Sequence, residues 1–311
     1  MSSLIKLDGV SKKFKKTVAM DQVTYEVPRG CVFALLGENG AGKTTTIRTL
    51  LGLEKPDAGT AEVLGMNPRS QAVAIRRAVG YVPEQPVLYD WMKVEQAGWF
   101  VAGFYPEGYL QRFMEFAKEF ELPLSAKIRN LSKGMKAKVS LALAMSHEPD
   151  LMILDEPTSG LDALVRRKFL ESMVDIAATD RTVFLCSHQI NEVERVADHV
   201  AIMLEGKIAV CQPLPEMKQQ MEKWIVTSDS PQIPPVEDAT IISSRQKLRQ
   251  WELMVSKPGP EALWKLRDHP MTNDVEVHTP SLEEIFVALV DQKNNKAEVS
   301  IESSQSTEVG Q

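Results

Sequence analysis

The sequence predicts an α/β fold built on a mainly parallel sheet. Three observations point there. Short apolar-rich runs, CVFALLG at 31–37, LMILD at 151–155 and TVFLCSH at 182–188, read as strands, the first continuously apolar as a strand buried on both faces would be. Helix-like stretches separate them, as parallel pairing requires. The first run also passes directly into a glycine-rich loop, and the residues after it, TTTIRTLLGL, read as a helix.

Taken in order, LIKLDGV and VTYEV are short strands before CVFALLG. Residues 86–148 read as mostly helical. Of the chain's 20 aromatic residues, 11 fall between Tyr81 and Phe120. They fit the core of a small helical subdomain, with room for a few on its rim to dock a partner helix. The α/β pattern resumes at 149, with a helix over 162–178, another in NEVERVAD, and a hairpin in HVAIMLEGKIAV turning at Glu205-Gly206. Pro213, Pro215 and the turn-rich SDSPQIPPVED set a domain boundary near 216. The first domain is then 1–215, with its helical subdomain at about 86–148. A small α+β domain follows over 216–292, with strands WIVTS, TIISS, WELMVS and VEVHT and a helix in PEALWKLRD. Its last helix opens at Ser281, three residues before Glu284, a capping-box pattern. The polar segment 293–311 is expected to be disordered.

Composition fits a globular protein with a sizeable core: 43% of 311 residues are hydrophobic and 25% charged. A net charge of −6 counts against a main role in gripping nucleic acid. Cys31, Cys186 and Cys211 sit in apolar stretches without metal-ligand spacing, and read as small buried hydrophobes in a reducing compartment. The N-terminus lacks the apolar core of a secretory signal, and no window reaches 18 apolar residues.

The chemistry concentrates in two motifs. Gly37-Glu38-Asn39-Gly40-Ala41-Gly42-Lys43-Thr44 fits G-x-x-x-x-G-K-[ST] between a strand and a helix. In such a loop, backbone N–H groups and the helix N-terminus face a phosphate. Lys43 reaches the β/γ-phosphates and the Thr44 hydroxyl ligates Mg²⁺. In LMILDEP, a buried strand ends in Asp155, placed for the Mg²⁺ shell, and Glu156, placed to polarise an attacking water. Between them, Leu131-Ser132-Lys133-Gly134-Met135 is by itself only a Ser N-cap opening a helix. Ser159-Gly160-Leu161-Asp162 and the strand-terminal His188 follow.

Together, these five elements in this order resemble the ATP-binding-cassette (ABC) ATPase family over about residues 3–215. The resemblance implies a P-loop NTPase core with ATP and Mg²⁺ as ligands. It makes Phe14 the aromatic that stacks on adenine, Gly37–Thr45, with Thr45 at its end, the Walker A loop, and Ser132 and Gly134 the phosphate-facing positions of the signature. It makes Asp155 the Walker B carboxylate, Glu156 the catalytic base, Ser159–Asp162 the D-loop and His188 the γ-phosphate sensor. Two motifs depart from the family. Glu84, followed by Gln85, stands where a Mg²⁺-sensing Gln is usual, so either residue could be the sensor. Lys133 and Met135 stand where Gly and Gln are common. Lys12, Lys13, Lys15 and Lys16 around Phe14 read as a solvated turn, with one or two available to triphosphate or anionic lipid.

The resemblance further implies an ATPase subunit of an exporter-like membrane transporter. Such a subunit is cytoplasmic, lies peripherally on the cytoplasmic face of the membrane and drives a separate integral-membrane permease. Two cassettes face head to tail, as a homodimer or with a second ATPase chain. A cassette acting on nucleic acid or ribosomes is the alternative, but this chain shows one cassette, no long heptad run and no cysteine cluster.

Overall fold

The computed structural model describes the backbone of residues 3–305 and the side chains of 3–293. The chain separates into two compact units, Met1–Cys211 and Gln212–Gln311.

In the first unit, β1 (Ser3–Phe14) is the centre of a three-stranded antiparallel sheet, between β2 (Thr17–Pro28) and β4 (Ala58–Val63). The second sheet has six strands. β3 (Val32–Leu36), β5 (Val79–Val82), β6 (Leu151–Asp155), β7 (Thr182–Ser187), β8 (His199–Leu204) and β9 (Lys207–Pro213) lie in the order β5-β6-β7-β3-β8-β9. The pairs from β5 through β8 are parallel. Every residue of β3, β6 and β7 is buried, including the polar Asp155, Thr182 and Ser187 at the ends of the latter two. β8 turns into β9 at Glu205 and Gly206, both at positive φ, the backbone a tight hairpin needs. Cys31 and Cys186 are buried, but Cys211 is exposed, contrary to the expectation from its apolar neighbours. The cause is position: β9 is the edge strand, and its residues alternate between exposed and half-buried.

Helices α1 (Lys43–Leu50), α2 (Ala72–Ala78), α3 (Val94–Ala102), α4 (Tyr109–Glu119), α5 (Lys133–Met145), α6 (Ala163–Ala178) and α7 (Ile190–Val193) complete this unit. Helix α7 is half the length the sequence predicts. The chain must leave it because Asp198 is tied to β3, its carboxylate accepting from Val32 N at 2.8 Å and its N–H bonding Val32 O at 2.9 Å.

The sheet and the helical segment each pack a core of their own. The sheet core stacks Tyr25 on Phe33 and Phe33 on Phe184, with centroids 5.5 and 5.7 Å apart. The helical segment has its own core around Val94, Tyr109, Phe113, Ile128 and Val139. Tyr89, Trp91, Trp99, Phe100 and Phe104 remain on its surface.

The second unit is a four-stranded antiparallel sheet ordered β11-β12-β10-β13, from β10 (Met221–Thr227), β11 (Thr240–Lys247), β12 (Gln250–Ser256) and β13 (Asp274–His278). It also holds α8 (Leu214–Gln219), α9 (Ala262–Arg267) and α10 (Leu282–Gln305). Trp224, fully buried, anchors its core. The capping box is formed: Ser281 N donates to Glu284 Oε2 at 2.9 Å and Glu284 N to Ser281 Oγ at 3.2 Å. Helix α10 runs on to Gln305, where a disordered tail was expected from 293. No Gly or Pro interrupts the chain between Ser281 and Gly310, so nothing in the sequence stops a helix once capped. Residues 306–311 of the expected tail lie outside the described residues.

One glycine sets the spacing of the helical segment. A Cβ on Gly98 of α3 would lie 2.1 Å from the Phe113 ring of α4, whereas one on Gly103 would meet only Phe100 O at 3.4 Å. Gly98→Ala is therefore expected to destabilise the first unit by about 1–3 kcal/mol through overpacking. Gly103→Ala should stay within about 0.5 kcal/mol. Urea unfolding of the two variants decides it: equal midpoints would show that Gly98 does not fix the α3–α4 approach.

Candidate active site

The carboxyl ends of β3, β6 and β7 lie side by side because the sheet is parallel there, and each strand delivers one polar group to the same edge. From β3 the loop 37–42 turns into α1. Its glycines answer to close packing as well as to backbone angle. A Cβ on Gly37 would lie 2.5 Å from Met203 O, and one on Gly42, at φ 114°, would lie 2.2 Å from Ala19 O. Gly42 is also the N-cap of α1 and supplies no side-chain acceptor, so the helix's first N–H groups are left to a ligand.

Lys43 is the first residue of α1 and is buried. Its Nζ donates to Gly37 O at 2.7 Å and Glu38 O at 3.3 Å, and stands 3.3 Å from Glu156 Oε1. Glu156 Oε2 in turn lies 2.8 Å from His188 Nδ1, at the end of β7. A chain Lys43–Glu156–His188 thus spans the three strand ends. Glu156 reaches into it from an unusual backbone, φ 46°, held by Glu156 N donating to Cys186 O at 2.9 Å and Ser159 N donating to Glu156 O at 3.1 Å. A non-glycine residue in that region costs on the order of 1–3 kcal/mol, strain that the surrounding hydrogen bonds sustain.

Asp155 lies beneath, 4% exposed. Burial, then the negative charges of Glu156 and Glu84, push its carboxyl up to about 6, against the Thr44 hydroxyl and Lys43. Its Oδ1 is buried without a hydrogen-bond partner among the described residues. A buried, unpartnered carboxylate oxygen beside a threonine hydroxyl and two further acids fits a hard divalent cation. Among the described residues no three His, Cys, Asp or Glu side chains cluster as a metal site, so such an ion would draw its other ligands from phosphate oxygens and water.

The cavity over these groups holds about 390 Å³. Of the residues picked from the sequence, Glu38, Asn39, Gly40, Gly42, Lys43, Thr44, Thr45, Glu84, Glu156 and His188 line it. Gly37 and Ala41 shape the loop from behind, Ala41 with its methyl in the sheet core. Glu84 is on the cavity wall, and Gln85, exposed, is not. Phe14 is also off the wall, at the tip of the β1–β2 hairpin with the Lys12 ammonium 5.2 Å from its ring centroid. Ser132 and Gly134 are elsewhere. Ser132 caps α5, its hydroxyl accepting from Met135 N at 3.2 Å, and is exposed. Thr17, Ala19 and Ser159 line the cavity without having been singled out as site residues. Ser159 was legible in the SGLD motif. Thr17 and Ala19 carry no local signal, since only the packing of β2 beside the loop brings them there. A cavity of about 280 Å³ in the second unit has charges that pair with one another, Lys223 with Glu284 at 2.8 Å, and no phosphate-binding loop.

Comparison with known proteins agrees with this geometry. The family profile described as "ABC transporter" matches residues 20–159. The Nod factor export ATP-binding protein I of Cupriavidus metallidurans is 32% identical over 270 residues, covering 84% of this chain and 89% of that protein. A solved structure described as an ATP-binding subunit of an ABC transporter is 33% identical with TM-score 0.64, covering 70% of this chain and 92% of that one. A dimeric ATP-binding cassette in a post-hydrolysis state with ADP and Pi shares the fold at TM-score 0.62 and 23% identity, over 68% of this chain and 98% of that one. No helix among the described residues is long and apolar enough to cross a membrane. With the loop, the two acids and the histidine gathered at one sheet edge, and with relatives matched over most of both lengths, the chain belongs to the ABC transporter family as an ATP-binding, ATP-hydrolysing cassette.

Proposed function

We propose that this chain is the ATPase subunit of an exporter-type transporter. It works on the cytoplasmic face of a membrane, binds Mg²⁺–ATP between two cassettes and drives a separate integral-membrane permease. The observation that carries this reading is continuity between the nucleotide cavity and an exposed aromatic surface. The segment from Glu84, on the cavity wall, leads within a few residues to Tyr89 and Trp91. Their rings join Phe100 and Phe104 in a run with centroids 5.7–6.0 Å apart, on the surface of the helical segment. A contiguous exposed aromatic patch fits a partner helix better than water. The export named for the similar Nod factor protein favours that direction. The net charge of −6 disfavours a nucleic-acid partner.

The chemistry follows from the cavity. Lys43 exchanges its contact with Glu156 for charge-assisted contacts to the β/γ-phosphates. Thr44 and Asp155 would hold Mg²⁺, whose charge, when it is bound, offsets that of the phosphates. Freed from Lys43, the Glu156 carboxylate accepts a proton from a water whose oxygen attacks the γ-phosphorus as the bond to ADP breaks. His188 holds Glu156 in place. Glu84 is the better candidate for the sensor beside the metal, since it adds to the field on Asp155.

Ser132 and the start of α5 are exposed away from this chain's own cavity, with the positive end of the helix turned to solvent. That placement supports head-to-tail pairing, in which each α5 N-terminus meets the γ-phosphate held by the other cassette, a second copy of this chain or a second ATPase chain. ATP then joins the two cassettes, and hydrolysis releases them.

Three outcomes test the proposal. Glu156→Gln should slow hydrolysis about 10²–10⁴-fold while keeping ATP binding. It should sediment as a dimer in Mg²⁺–ATP, and adding Ser132→Arg should return it to monomer. Parental turnover in Glu156→Gln would remove it as the base. Asp155→Asn should stabilise the nucleotide-free protein. The carboxyl's folded-state value, about 6, lies above the ordinary 3.8, so its charged form opposes folding at neutral pH. The expected gain in urea unfolding is roughly 1–3 kcal/mol, with loss of Mg²⁺-dependent protection; a variant less stable than the parent would contradict it. Glu84→Ala should change the Mg²⁺ dependence of turnover and Gln85→Ala should not; the reverse would make Gln85 the sensor.

A further inference from the structure

We propose that Glu192 is a positioning residue for hydrolysis. Its carboxylate clamps the segment carrying His188 to the turn carrying Glu156, and so sets the distance between them. The inference rests on the roles given above to Glu156 and His188.

Glu192 touches none of the residues that line the nucleotide cavity as a ligand would, yet its two oxygens tie together three segments that border it. Oε2 accepts from the Thr158 hydroxyl at 2.8 Å. Thr158 is 2% exposed and lies two residues beyond Glu156, inside the turn closed by Ser159 N donating to Glu156 O. Oε1 pairs with Arg166 Nη1 at 2.8 Å. The same guanidinium donates through Nη2 to Leu161 O at 2.9 Å, which fixes the SGLD segment before α6. With its amide nitrogen turned to the carboxylate, Gln189, the neighbour of His188, donates to both oxygens of Glu192 as well.

The clamp is needed because α7 cannot hold itself. It has four residues, Ile190–Val193, and only Val193 is buried. His188, half exposed, lies two residues before it, and its Nδ1 must stay 2.8 Å from Glu156 Oε2. Glu156 is itself on a strained left-handed backbone, φ 46°, so its side chain points correctly only while the turn through Thr158 is held. One charged acceptor binding both segments removes that freedom. Hydrogen bonds to an ionised acceptor are the stronger kind, and here they are shielded, with the Glu192 side chain 14% exposed. Loss of the clamp leaves the contacts of the loop 37–44 in place and frees the geometry of Glu156 and His188.

A base displaced by about 1 Å costs on the order of 10²-fold in rate. Steady-state hydrolysis by the full chain tests this. Thr158→Val, close to isosteric, and Glu192→Ala should each lower kcat roughly 10–100-fold, with KM for ATP within about twofold. Thr158→Ser keeps the hydroxyl and should keep kcat within about threefold of the parent. The double variant should be no slower than the slower single, as expected for one shared interaction. If Glu192→Ala unfolds, the Thr158→Val and Thr158→Ser pair carries the test alone. Parental kcat in Thr158→Val, or a lowered melting temperature without a change in kcat, would reduce the clamp to a structural role and overturn the proposal. Glu156→Gln, run alongside, separates the failures. A slow Glu156→Gln with a fast Thr158→Val sinks the clamp only, whereas a fast Glu156→Gln sinks the assignment of the base.

Discussion

The 3.3 Å contact between the Lys43 ammonium and the Glu156 carboxylate is the constraint around which the first unit is arranged. Both groups are almost fully buried, and burying charge is expensive unless the partner is in place. The two residues come from strands that are not neighbours: β7 lies between β6 and β3. Only a parallel sheet, whose carboxyl ends share an edge, brings the loop after β3 and the turn after β6 within reach of one another. The apolar strands, the crossover helices and the stacked rings of Tyr25, Phe33 and Phe184 are what keep that edge rigid. A site built on strand ends needs such a floor, because its polar groups contribute strain and desolvation rather than stability.

Asp155 and Glu156 show that cost from two sides. Asp155 is held in a place where its charge is penalised, and its Oδ1 has no hydrogen-bond partner among the described residues. Glu156 sits in a backbone region that most residues avoid. Neither would be chosen for stability. Under the proposed function, a ligand that brings positive charge would relieve the first and free the second from Lys43.

What could be read from the sequence was whatever is local. The loop at 37–44, the strand ending in Asp155 and Glu156, and the Ser281–Glu284 cap each declare themselves within a few residues, because the backbone geometry they need is set by those same residues. What could not be read depends on neighbours distant in sequence. Thr17 and Ala19 reach the cavity only through the packing of β2. Cys211 is exposed because β9 happens to be the edge. Helix α7 ends early because Asp198 is tied to Val32 of β3. The choice between Glu84 and Gln85 is of the same kind. The family position falls on Glu84, a shift of one residue would make it Gln85, and only the course of the loop puts one of them on the cavity wall.

That choice has an electrostatic consequence. An amide at position 84 would be neutral, whereas the Glu84 carboxylate adds to the field that raises Asp155. The interaction of two charges falls as the inverse of their separation, and it is strongest where water is excluded. Glu84 lies in the segment that leads to Tyr89 and Trp91, so in the proposed assembly a partner that displaced those rings would also displace a charge in the field of the buried acid. An amide sensor transmits such a movement through hydrogen bonds that are either made or broken. A carboxylate acts over a longer range, so under the proposed docking the affinity of Asp155 for a cation would respond to the position of the aromatic surface even before any contact in the cavity is lost.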